Sequence, residues 1–113
     1  MNQQGAAAET QAAAYLQQNG LKILARNWSC RFGEIDLIAQ DGDTLVFVEV
    51  RQRASSRFGD AASSITASKQ AKLIATAQIY LASQKKRTPA CRFDAILLDG
   101  DTPPRWLKHI IEA

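Results

Sequence analysis

A chain of 113 residues, 46% hydrophobic and 22% charged, has room for one domain around a single core and too little for two. Its net charge of +3 is a mild basic bias that names no partner by itself. No run approaches the roughly 18 apolar residues of a membrane-spanning helix, and residues 1–8 lack the basic start and apolar stretch of a secretory signal, so a cytoplasmic location is expected.

Residues 5–18 are strong helix formers, stopped by Asn19-Gly20. Spacings of three and four put Gly5, Glu9, Ala12, Ala13 and Leu16 in one stripe, the face that meets a sheet. Glu9 therefore points inward, where a carboxylate needs a basic partner or a place in a site. Residues 21–28 alternate as a strand. Residues 32–39 and 45–53, rich in Ile, Val and Phe, flank a turn cluster containing Asp41-Gly42 and predict a β-hairpin.

Residues 53–59 read as a loop. A second helix begins within residues 63–68, where hydroxyl caps are plentiful, and runs to about Gln84. Its apolar stripe is Leu73, Ile74, Ala77, Tyr80 and Leu81; Lys69, one turn earlier at the margin, can reach the sheet edge. Thr88-Pro89 ends the helix, residues 91–98 alternate as a strand, and residues 106–111 fit either a short strand or a helical turn. The order implies a mixed α/β sheet of four to five strands with two main helices packed on it.

Several chemistries are disfavoured by residue type. Cys30 and Cys91 have no CxxC partner and read as reduced thiols. His109 is the only histidine, which argues against a zinc centre, and no nucleophile motif accompanies it for a hydrolase triad. Metal, if used, would be held by oxygen. Two basic groups stand out: Arg51, Arg53 and Arg57 could grip phosphate, whereas Lys85, Lys86 and Arg87 read first as a solvated helix end. Trp28 and Trp106 read as packing residues, since nothing at their spacing forms a stacking platform.

The hairpin holds the chemistry. Strand alternation puts Leu45, Phe47, Glu49 and Arg51 on one face and Val46, Val48 and Val50 on the other. In the preceding strand it groups Glu34, Asp36 and Ile38 against Ile35, Leu37 and Ala39. A four-residue loop over residues 41–44 sets Asp36 opposite Glu49; a two-residue Asp41-Gly42 loop leaves them diagonal. Opposed side chains lie roughly 5 Å apart and diagonal ones about 7 to 8 Å, so either register suits two carboxylates on one cation. Such a pair repels unless a cation sits between them, and a hard divalent ion takes a few carboxylates plus water and phosphate oxygens. The plainer alternative is a surface ion pair of Glu49 with Arg51 or Arg53.

The stretches Gly33-Glu34-Ile35-Asp36-Leu37-Ile38 and Val46-Phe47-Val48-Glu49-Val50-Arg51-Gln52-Arg53 resemble the small YraN-like family. Glu9 with Ala13, Leu16 and Gly20, then Asn27, Lys69 and Arg92-Phe93-Asp94, extend the likeness over nearly the whole chain. That family is similar to Holliday junction resolvases and other PD-(D/E)xK nucleases. The resemblance implies a restriction-endonuclease-like sheet, with Asp36, Glu49 and the Val50 carbonyl holding Mg²⁺ or Mn²⁺ and Glu9 a third acid. It implies DNA as partner, branched DNA especially, and a homodimer. The family's usual Glu-Val-Lys reads Glu49-Val50-Arg51 here, and arginine keeps the charge but cannot act as a base. Lys69 is then a candidate substitute, and the alternative is a weak or inactive DNA-binding module that keeps the nuclease fold.

Overall fold

A computed structural model describes residues 3–53, 66–99 and 102–111. Helix α1 (Gln3–Gln18) leads into strands β1 (Lys22–Cys30), β2 (Gly33–Asp41) and β3 (Thr44–Arg53), followed by α2 (Ala67–Ser83), β4 (Ala90–Asp99) and β5 (Arg105–Leu107). The five strands form one open sheet in chain order. Only β3 and β4 run parallel, and α2 supplies the crossover that a parallel pair requires. The expected mixed α/β sheet with two helices is what forms, and β5 takes in the first two residues, 106 and 107, of the ambiguous C-terminal stretch.

Both faces of the central strands are covered, which is why they are apolar almost throughout. On one face Ala8, Ala12 and Leu16 of α1 pack on Leu37, Val46, Val48, Val50, Ile96 and Leu98. On the other, Leu73, Ala77 and Tyr80 of α2 pack on Ile35, Ile38, Leu45, Phe47 and Phe93. Helix α1 ends as Asn19-Gly20 predicts: Gly20 turns left-handed at φ 90, while Leu21 N–H donates to the Leu16 carbonyl at 3.1 Å and Gly20 N–H to that of Gln17 at 3.0 Å. Helix α2 is capped by Thr66, whose hydroxyl accepts from Lys69 N–H at 3.3 Å.

Strand β3 alternates as its sequence requires, with Val46, Val48 and Val50 toward α1 and Leu45 and Phe47 toward α2. Strand β2 does not. Leu37 and Ala39 face α1, yet Ile35 joins Ile38 on the α2 side, so the regular alternation expected through Asp36 is broken there. The ladder to β1 pairs Arg26 with Leu37 and Trp28 with Ile35, which leaves Asn27 opposite Asp36. Asn27 is left-handed at φ 52, a conformation asparagine tolerates better than most residues. The two strands change face together at this point.

On β4, at the level of Val48 in β3, lies a satisfied ionic cluster. Asp94, fully buried on β4, accepts from Arg92 Nε at 3.0 and 3.2 Å, Trp106 Nε1 at 2.9 Å and His109 N–H at 3.1 Å. Arg92 also reaches Asp41 at 2.9 Å, tying the end of β2 to β4 and the C-terminal segment. Trp106 packs edge-on to Tyr15 at 6.4 Å, in keeping with a packing role. Cys30 and Cys91 are free thiols. Among the described residues no helix is long and apolar enough to cross a membrane.

A candidate metal centre

The hairpin register pairs Leu37 with Val48 and Asp41 with Thr44, so the turn closes at Gly42-Asp43. This is the register that sets Asp36 opposite Glu49, and the ladder ends one residue short of them, at Leu37 and Val48. In the space so opened Asp36 turns toward β3, where its Oδ2 accepts the Val50 N–H at 2.8 Å. A strand residue presents its N–H and its carbonyl to the same neighbour, so the Val50 carbonyl faces the same gap.

Asp36 and Glu49 therefore meet at the end of the ladder, in the directly opposed register that the four-residue loop implies. Alternation carries Glu49 to the side of Leu45 and Phe47, close enough to Asp36 for the two carboxylates to repel. On the α1 side of Asp36 lie two further acids. Carboxylate oxygens of Glu9, Glu34 and Asp36 are all within 4.8 Å of one another. Glu9 is 9% exposed, pointing inward as its helical stripe requires, and its Oε1 is buried with no hydrogen-bond partner.

Burial first, and then the Glu9 charge, push the Asp36 carboxyl up to about 6, against the stabilising Val50 N–H. Burial and the Asp36 charge push Glu49 up to about 7, while Arg51 and Lys69 pull the other way. Arg51 pairs with Glu49 at 2.8 Å, the ion pair that the plainer reading of the sequence describes, although Glu49 is buried and not on an exposed face. The Arg51 Nε is buried and without a partner. Lys69, at the first turn of α2, lies within electrostatic reach of Glu49.

Asp36, Glu49, Val50, Arg51, Glu9 and Lys69 are thus gathered around one end of the β2–β3 ladder. Arg53 ends β3, and Arg57 lies outside the described residues, so the suggested phosphate grip of Arg53 and Arg57 acquires no geometry. Lys85, Lys86 and Arg87 are exposed beyond the end of α2, and the last two line a cleft beside Asp43 at the hairpin turn, away from the acids. Sequence reasoning did not single out Glu34 or Asn27 for a site. The buried Asn27 Oδ1, also without a partner, lies across from Asp36.

The donor set fits a hard divalent cation. Carboxylates of Glu9, Glu34 and Asp36 lie within 4.8 Å of one another with Glu49 beside Asp36, the buried Glu9 Oε1 has no protein partner, and among the described residues no ion pair gives the trio a basic partner.

A family model for the uncharacterised protein family UPF0102 matches residues 8–98. A UPF0102 protein of Nitrosomonas europaea is 53% identical over 110 residues, covering 96% of this chain and 92% of that protein. One from a Janthinobacterium species is 55% identical over 96% of this chain and 87% of its own length. Another, from Psychromonas ingrahamii, is 50% identical over 98% and 91%. The matched residues run from the inward face of α1 to the end of β4 and contain every acid of the cluster, and this chain belongs to the UPF0102, or YraN-like, family.

Proposed function

We propose that this chain is a metal-dependent endonuclease that hydrolyses phosphodiester bonds in DNA, with branched or structured DNA as the favoured substrate. One observation carries the reading: Asp36, bonded to the Val50 N–H at the open end of the hairpin ladder, stands among the carboxylates of buried Glu9 and Glu49 and exposed Glu34, with too little positive charge to balance them. The likeness of Asp36 and Glu49-Val50-Arg51 to the PD-(D/E)xK motif supports it from the sequence. Resemblance to junction resolvases is the basis for branched DNA and for a homodimer, since a two-fold junction suits a two-fold enzyme.

Asp36, Glu49 and the Val50 carbonyl would hold Mg²⁺ or Mn²⁺, with Glu9 beside them. The ion would supply charge neutralisation at the scissile phosphate and a lowered pKa for an attacking water. Arg51 stabilises negative charge on the phosphate; permanently charged, it takes up no proton. Lys69 adds a second positive charge from α2.

A second reading rests on the Arg51–Glu49 ion pair: with Arg51 committed to Glu49, the fold serves as a DNA-binding module with little or no turnover. Incubation with branched and linear DNA in Mg²⁺ or Mn²⁺ separates the two. The nuclease reading predicts metal-dependent cleavage that falls at least about 100-fold in Glu49→Ala, the scale of losing one transition-state contact. Undiminished cleavage by that variant contradicts these roles. Under the binding-module reading the wild type only binds, salt-sensitively, and Arg51→Lys gains cleavage.

A further inference from the structure

We propose that the cleft between the end of α2 and the turn of the β2–β3 hairpin binds an unpaired nucleotide of DNA, with its phosphate at Lys86 and Arg87 and its base against the apolar lining. The cleft stands away from the acids, so the inference goes beyond the nuclease reading and does not rest on it.

The cleft encloses about 230 Å³. Pockets for drug-sized ligands run to roughly 300–1,000 Å³, so this one takes a single small unit. Leu24 of β1, Leu45 of β3 and Leu81 of α2 supply its apolar lining. Leu24 is 40% exposed, a large apolar side chain that the fold leaves uncovered on this wall. Lys86, Arg87 and Asp43 also line the cleft, all three exposed, and among the described residues none of them has an ion-pair partner. Helix α2 ends at Ser83, and Lys85 turns left-handed at φ 54, where a helix end more often has glycine. The next two cations then meet the cleft.

A solvated helix end accounts for a run of cations, but not for an apolar cavity beside them. Cations over an apolar slot fit a ligand that joins an anion to an apolar plane. A nucleotide has both, and unpaired strands are held in this way, by positive charge along the backbone and apolar contact with the base. An acidic peptide carries anions as well, and Asp43 decides against it: its carboxylate repels a peptide carboxylate and accepts from the exocyclic amine of a base. Cytosine offers that amine at N4, where thymine has an oxygen acceptor, so the cleft favours cytosine over thymine. A base stacked and paired in a duplex does not reach such a slot. Gln40, also on the lining, is four residues from Asp36 along β2, about 14 Å, so a strand held in the cleft can extend to the acids.

The test is fluorescence anisotropy of labelled oligodeoxycytidylate and oligothymidylate of about ten nucleotides, within the usual span of a small single-strand site, against a blunt duplex of equal length. The full chain is used in EDTA at low salt, with circular dichroism as the fold check on each variant. Wild type is expected to bind the cytidylate strand at least about fivefold more tightly than the thymidylate strand, the scale of one base-edge contact, and more tightly than the duplex. Lys86→Ala combined with Arg87→Ala weakens binding at least about tenfold and lowers the log-log salt slope by about 1.4, the value for two phosphate contacts on a single strand. Asp43→Ala brings the two strands within about twofold of each other. Leu24→Lys weakens binding although it adds positive charge, because it removes the apolar wall from the base. Equal binding of the two strands by wild type, tighter binding of the duplex, or tighter binding by Leu24→Lys overturns the proposal. Displacement of the strand by a glutamate-rich peptide at equal concentration overturns it too, in favour of an acidic protein partner. Failure of the nuclease reading shows separately, as absence of cleavage in Mg²⁺ or Mn²⁺ by a chain that binds these strands in EDTA.

Discussion

Asp94→Ala is expected to destabilise the fold by about 3–5 kcal/mol, enough to unfold much of a small domain at moderate temperature. The residue is fully buried and accepts from three separate groups, the Arg92 guanidinium, the Trp106 indole and the His109 backbone N–H. Truncation leaves a largely buried guanidinium short of one of its two carboxylate partners and strands two further donors, and such uncompensated groups dominate the loss. Asp41, which still holds Arg92 at 2.9 Å, limits the damage. Urea denaturation checks the figure, and a change under about 1 kcal/mol would mean that the cluster is not what joins β4 to the C-terminal segment.

Asp36→Asn should do the opposite in metal-free buffer. Asp36 is raised from 3.8 to about 6 and Glu49 from 4.5 to about 7, with burial as the leading cause of each shift. Between about pH 4 and about pH 7 the folded chain thus holds protons that the unfolded chain has released. Stability must then fall as pH rises through that window, and it is lowest above it. Two coupled carboxyls share the effect, so a loss on the order of 2 kcal/mol is expected between pH 4.5 and pH 8. Asparagine keeps an acceptor for the Val50 N–H and removes the charge, so the variant gains roughly that amount at pH 8 and little at pH 4.5. Mn²⁺ reverses the ranking: it stabilises wild type by about 2.7 kcal/mol at a hundredfold excess over its Kd and leaves the variant nearly unchanged. Denaturation in EDTA and in Mn²⁺ at both pH values measures all four differences. A less stable Asp36→Asn at pH 8 in EDTA would show that the carboxylate is held by protein contacts alone.

Such a cost at the proposed site would follow a general pattern, in which groups arranged to bind a ligand are unfavourable without it. The ionic cluster at Asp94 is the contrast within the same molecule. There both Asp94 oxygens have their donors, and the cluster reads as structure.

What the sequence reveals depends on how regular each strand is. Period-two alternation describes β3 correctly, since Val46, Val48 and Val50 stay on one face throughout. It fails in β2 because Asn27 turns left-handed opposite Asp36 and both strands change face there, a local event that periodicity does not register. The available signal was asparagine itself, one of the few residues at ease with positive φ. The register was narrowed to two, and the pairing of Asp41 with Thr44 around Gly42, at φ 61, selects the one that opposes Asp36 and Glu49. Glu9 was legible from its helical stripe because α1 is regular and its apolar face continuous. Glu34 carries no such signal: it is exposed, and only the docking of α1 makes it a neighbour of Glu9. The Asp94 cluster joins β2, β4 and the C-terminal segment, contacts that arise only from the completed sheet.

The most direct examination of the acidic centre is anomalous diffraction from crystals soaked in Mn²⁺. The predicted result is Mn²⁺ density within coordination distance of the Asp36 carboxylate, at about 2.1–2.2 Å, with Glu49 or Glu9 among its other ligands. A fully soaked crystal in which Asp36 bonds only to the Val50 N–H and protein cations, with no Mn²⁺ nearby, would contradict the account.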